Sequence, residues 1–108
     1  MILATCRIDR DRLADMAALR AAHIQHVLDN RDVIHTGGLT TTQSIPTAIV
    51  LLLDVATRQA AETLVAADPY STLYSDVELT DFTLRIPEPE PGSLEHLRDA
   101  AAREQRAP

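Results

Sequence analysis

Apolar side chains recur at three- and four-residue steps through the first third of the chain, at Leu13, Met16, Ala17, Ile24, Val27 and Leu28. No Gly or Pro interrupts residues 13–30, so this spacing predicts an amphipathic helix over that span. Residues 2–8 before it read as a short strand, closed by the charged run Asp9-Arg10-Asp11-Arg12. Asn30 and Arg31-Asp32 end the helix, and residues 33–40 form a second strand. Within it, Gly37-Gly38 marks a bulge or a close backbone approach. A polar turn at residues 41–44 leads into residues 47–55, the most apolar segment. That run is short and bounded by Pro46 and Asp54, which suits a strand buried on both faces.

Thr57 caps a second helix over residues 57–67, with Ala60, Ala61, Leu64 and Val65 as its apolar face and Asp68-Pro69 as its stop. Residues 70–75 make a turn, and residues 77–86 the last strand. Its apolar phase is odd at Val77 and Leu79 but even at Phe82, Leu84 and Ile86, so a bulge is expected near Thr80-Asp81. Residues 87–92, rich in Pro and Glu, are a stiff polar linker, and Ser93 caps a short charged helix. The order βαββαβ is the ferredoxin-like, split βαβ arrangement, an α+β domain over residues 1–86 with residues 87–108 appended. It gives a four-stranded antiparallel sheet with both helices on one face. The other face is left bare, and a strand apolar at every position from residue 48 to 53 points to a second copy of the chain covering it.

Composition narrows the function classes. A length of 108 residues fits one domain. A formal charge of −6 argues against nucleic acid as a partner. All ten basic residues are arginine, which excludes a Schiff-base lysine and a phosphate loop. One cysteine, Cys6, permits no internal disulfide and no cysteine-based zinc site. With no signal-peptide pattern at the start and no apolar run long enough to span a bilayer, a soluble cytoplasmic protein without a membrane partner is expected.

Two residues of the first helix fit a plain amphipathic pattern poorly. Turning 100° per residue from Leu13, Arg20 falls at about 340°, inside the apolar stripe, and His23 at about 280°, on its border. An arginine there either snorkels to water or meets an anion. A pocket at this helix edge would give it a small anionic ligand, with a base beside it. Asp68, by helical phase, points to the same core side and could meet His23 across the domain. A carboxylate on one imidazole nitrogen fixes the tautomer and leaves the other nitrogen to take a proton. Capping of the turn before Pro69 is the plainer role for Asp68.

Three motifs stand in one order: Arg20-x-x-His23, Gly37-Gly38-Leu39 and Ala66-Ala67-Asp68-Pro69-Tyr70. Together they resemble the YCII-related domain family, over roughly residues 1–86. The resemblance implies a dimeric α+β barrel, related to muconolactone-isomerase-like proteins, and a histidine–aspartate active-site pair that falls on His23 and Asp68. It also implies that some members act in the breakdown of aromatic compounds. Arg20, Gly38, Tyr70 and Tyr74 are the candidate substrate-binding residues. His26 reads as a surface residue, Cys6 as a small core residue, and His35 either lines the cavity or sits in the sheet. Two histidines at i, i+3 without further ligands make a poor metal site, and no Gly-x-Ser-x-Gly elbow supports a nucleophilic serine. The function that fits is a cofactor-free lyase or isomerase doing acid–base chemistry on a small oxygenated, aromatic-derived acid. A non-catalytic binding or sensor module with the same pocket is the alternative.

Overall fold

Along β1 (Ile2–Ile8) the side chains alternate: Ile2, Ala4, Cys6 and Ile8 are buried, while Leu3, Thr5 and Arg7 point the other way. A computed structural model of the protein, describing residues 1–106, builds its sheet around this strand. β1 pairs antiparallel with β3 (Ile45–Leu53) on one side and β4 (Tyr74–Asp81) on the other. β2 (Ile34–Thr42) pairs with β3 at the edge, giving the order β2-β3-β1-β4. The crossovers are α1 (Met16–Asp29) and α2 (Arg58–Ala66). This is the ferredoxin-like α+β arrangement.

The register places Ile2 beside Leu53, Ala4 beside Leu51 and Cys6 beside Ile49, and these rows form one core with Met16 of α1 and Ala61 and Val65 of α2. Both helices therefore cover the same face. On the opposite face Leu3 pairs with Leu52, Thr5 with Val50 and Arg7 with Ala48. Leu52 and Ala48 are buried there too, and Val50 is half-buried, so β3 is apolar on both sides for a reason. Leu52 is sheltered among Leu3, Thr36 and Phe82. The other end of this open face is ionic: Arg7 reaches Asp76 at 2.6 Å and Glu78 at 3.4 Å.

The chain departs from its sequence pattern at three points. The first helix does not begin at residue 13. A 3₁₀ turn (Arg10–Asp15) comes first, capped by Asp9, whose carboxylate accepts from the Asp11 amide at 2.9 Å. A 3₁₀ segment turns about 120° per residue instead of 100°, so a phase counted from Leu13 slips by about 60° before α1 starts. The inward face of α1 is Met16, Leu19, His23, His26 and Val27, continued by the C-cap Asn30, while Ile24 and Leu28 are exposed.

The last strand starts at Tyr74 and ends at Asp81, so the break in apolar phase at Thr80-Asp81 is the end of the strand and not a bulge. The Phe82 amide still donates to the Met1 carbonyl at 2.9 Å, after which β1 offers no further partner. The bulge lies at the other end, where Ser75 is skipped between the pairs Ile8–Tyr74 and Arg7–Asp76. In β2 the extra residue is His35, not a glycine. Gly37 is instead a close approach: a Cβ there would lie 2.7 Å from Leu51 Cδ2 and 3.1 Å from the Val50 carbonyl.

α3 (Ser93–Arg106) makes no extensive contact with any strand or helix of the domain. It stands off from the sheet and stretches the molecule to 58 × 31 × 22 Å. Among the described residues no helix is long and apolar enough to cross a membrane.

Candidate active site

Asp68 follows α2 and caps a second 3₁₀ turn (Pro69–Leu73), its Oδ1 accepting from the Tyr70 amide at 2.8 Å. The same carboxylate faces α1, where His23 Nδ1 lies 2.9 Å from Oδ1 and 2.8 Å from Oδ2. Capping and pairing are thus one arrangement, since a carboxylate has lone pairs for both. Asp68 is 2% exposed and the His23 side chain 13%. A carboxylate so buried costs several kcal/mol unless its oxygens are met, and here the imidazole and the amide meet them. A carboxylate facing Nδ1 accepts the hydrogen that this nitrogen carries, and in a neutral imidazole of that tautomer the lone pair is on Nε2.

Tyr70 fixes the remaining freedom of the ring. It is buried and stacks on the imidazole, with centroids 3.9 Å apart and planes 9° from parallel. His23 is held at one edge by Asp68 and on one face by Tyr70. It also forms part of the wall of a cavity of about 340 Å³ between α1, β2 and β3. The rest of that wall is Ile24, Val27 and Leu28 of α1, Ile34, Gly37, Gly38 and Leu39 of β2, and Ile49 and Leu51 of β3. His23 is the one titratable side chain in it. Two larger hollows, about 380 Å³ beside Arg58 and Tyr74 and about 480 Å³ beside Val33 and Thr63, do not meet the pair. Chemistry, not volume, marks the site.

Of the sequence candidates, His23, Asp68 and Tyr70 come together, and Gly38 lies in the cavity wall. Arg20 does not: it is exposed and absent from the wall, while His23 falls in the middle of the inward face. Tyr74 also lies elsewhere, with its hydroxyl buried beside Cys6 and without a hydrogen bond. Burial pushes the Cys6 thiol up to about 11, the neighbouring Tyr74 hydroxyl drawing it slightly back. His26 is half-buried and not a surface residue: its Nε2 donates to the Leu64 carbonyl at 3.0 Å and ties α1 to α2. Asn30, whose side-chain amide donates to the His26 carbonyl at 2.8 Å, was the sequence signal for this inward polar row. His35 sits exposed in the sheet edge, outside the cavity wall. Among the described residues no three His, Cys, Asp or Glu side chains gather as metal ligands.

No family model matches the sequence, and no curated protein does. A solved structure does match: 5-chloro-2-hydroxyhydroquinone dehydrochlorinase from Burkholderia phenoliruptrix AC1100, in complex with 2,5-dihydroxybenzoquinone. The TM-score is 0.67 at 20% sequence identity, over 82% of this chain and 99% of that one. The chain shares its fold with this dehydrochlorinase. The ferredoxin-like α+β chain fold implied by the resemblance to YCII-related domains is the fold it has. The neighbour is matched almost end to end, whereas 18% of this chain, about 19 residues, has no counterpart in it. That share is close to the length of the segment from Pro87 onward.

Proposed function

We propose that this chain is a YCII-related acid–base catalyst of the lyase or isomerase type, with His23 as the base and Asp68 as its positioning partner. The observation that carries the reading is the fixed imidazole: Nδ1 on Asp68, one face on Tyr70, and Nε2 left free in a residue that lines a cavity. A base held in one tautomer and one orientation needs no reorganisation when it takes a proton. Nε2 removes a proton from a hydroxyl, or from carbon next to a carbonyl, and the electron pair left behind moves into the conjugated system. In an elimination, a leaving group such as chloride departs with its bonding pair, and the imidazolium, stabilised by Asp68, returns its proton to water. In an isomerisation the same proton goes back at another carbon.

The neighbour's name supports the elimination, and its bound dihydroxybenzoquinone supports a small oxygenated ring as the substrate class. The cavity wall is apolar and offers no cation, which favours a neutral flat ring over a carboxylate anion. The test is halide release from halogenated hydroxyhydroquinones. Turnover that disappears in His23→Asn while ring binding persists upholds the reading; binding without turnover in the unaltered protein makes the chain a binding module.

The same reading includes a homodimer through the open sheet face. Its support is the apolar end of that face, where Leu3, Val50 and Phe82 retain exposed surface, and sedimentation at micromolar concentration tests it. A stable species of the chain mass removes it.

A further inference from the structure

Most of the exposed large apolar side chains among the described residues fall in two groups, with Ile45 and Val77 standing apart. Three of them, Ile24 at 49%, Leu28 at 47% and Leu39 at 47%, ring the mouth of the His23 cavity. Three more lie from the end of the sheet onward: Phe82, Ile86 at 77% and Leu97 at 37%. One set is an open apolar rim, and the other follows the arm that ends in α3. Leu94, Leu97 and Ala101 fall at i, i+3 and i+7, one stripe along α3, and α3 makes no extensive contact with any strand or helix of its own domain among the described residues. An unsupported helix of fourteen residues is marginal in water, so a stripe of this kind is held by packing on something.

We infer that α3 of one copy of this chain lies across the mouth of the His23 cavity of a second copy, apolar stripe against apolar rim. The chain carries both halves of the contact and joins neither within itself. The ten residues at 83–92 give the arm a reach of up to about 33 Å, enough to pass a sheet edge. The open sheet face is the weaker seat, because Leu52 and Ala48 are already buried there and its other end carries the Arg7–Asp76–Glu78 cluster. Reciprocal exchange about a two-fold axis closes the contact. Two docked helices bury on the order of 1,000 Å², the size a specific interface needs. The solved neighbour is matched to 99% of its length by 82% of this chain.

Cross-linking of full-length chains tests this without reference to turnover. Leu28→Cys is placed in one chain and Leu97→Cys in another that carries a mass tag, and the mixture is treated with a short bis-maleimide. Both positions are exposed, and the native Cys6 is buried with its thiol pushed up to about 11, so it stays unreactive at neutral pH. The expected product has the summed mass of the two different chains and exceeds any product of either variant alone. In a second measurement, Leu28→Asp removes the hydrogen-exchange protection of the α3 amides. Failure to form the mixed product overturns the inference. So does closure within one chain when both cysteines are in the same molecule, preferential linkage of Leu97→Cys to Leu52→Cys on the sheet, or α3 protection that ignores Leu28→Asp.

Discussion

α1 and α3 are both fourteen residues long, yet the better apolar pattern belongs to the helix that makes no extensive contact with its own domain. α3 carries a clean stripe and mixed charge elsewhere. α1 turns inward a row that includes His23, His26 and Asn30, and it is the packed helix of the two. The difference lies in what meets each inward group. His23 finds Asp68 and His26 finds the Leu64 carbonyl, so polar positions that would be costly if unmet become connections to α2 and the turn after it. A helix that carries a site blurs its own periodicity, because the site occupies part of the stripe.

The largest effect is expected at the centre of the packed helix. His23→Ala should lower any turnover by about 10²- to 10⁴-fold and cost about 3 kcal/mol of stability, since it strands a buried carboxylate. His23→Asn should lose the same turnover but keep most of the stability, because its amide can still donate to Asp68 from near the Nδ1 position. Steady-state kinetics with urea melts separate the two variants. Equal stability loss in both would mean that the ring's stacking, and not its bond to Asp68, holds α1 in place.

Asp68→Asn comes next. The Asn oxygen can still accept from the Tyr70 amide, so the fold should persist. The side-chain NH₂ facing Nδ1 would force the imidazole into the opposite tautomer and cost about 10²-fold or more in rate. Unchanged kinetics would remove Asp68 from the mechanism. His26→Ala should lose about 1 kcal/mol through the missing bond to Leu64 and leave turnover intact, because that ring faces α2 and not the cavity.

A pH effect is expected beneath the packed helix, at Cys6. The folded protein holds the Cys6 proton up to about 11, whereas an unfolded thiol releases it near 9.0. Between those values the unfolded state binds fewer protons, so this contribution is intact below pH 9 and is lost as pH climbs toward 11. Thermal melts from pH 8 to 11 should fall less steeply in Cys6→Ala than in the parent chain. The smallest effect is assigned to the tail: a chain ending at Ile86 should keep a single cooperative melting transition. Loss of that transition would make α3 part of the core.

The sequence by itself determined the element order and the ferredoxin-like arrangement, because alternation in β1 and β3 and the caps at Thr57 and Asp68 are local signals. It also named His23 and Asp68, partly from motif resemblance, as two residues that could meet, and the structure puts them in contact. Tertiary structure decided everything that depends on phase and on neighbours. Within α1 the row that packs inward runs through Leu19, His23 and His26 and not through Ile24 and Leu28, so Arg20 faces out. That choice is set by the partners that His23 and His26 find and not by apolar spacing. β4 ends where β1 runs out of partners, and not where its own apolar residues end. The cavity wall of Ile34, Leu39, Ile49 and Leu51 comes from two strands whose residues look like ordinary core until α1 leaves a gap above them. Periodicity is a property of one segment, whereas direction, strand length and empty space are set by what the segment packs against.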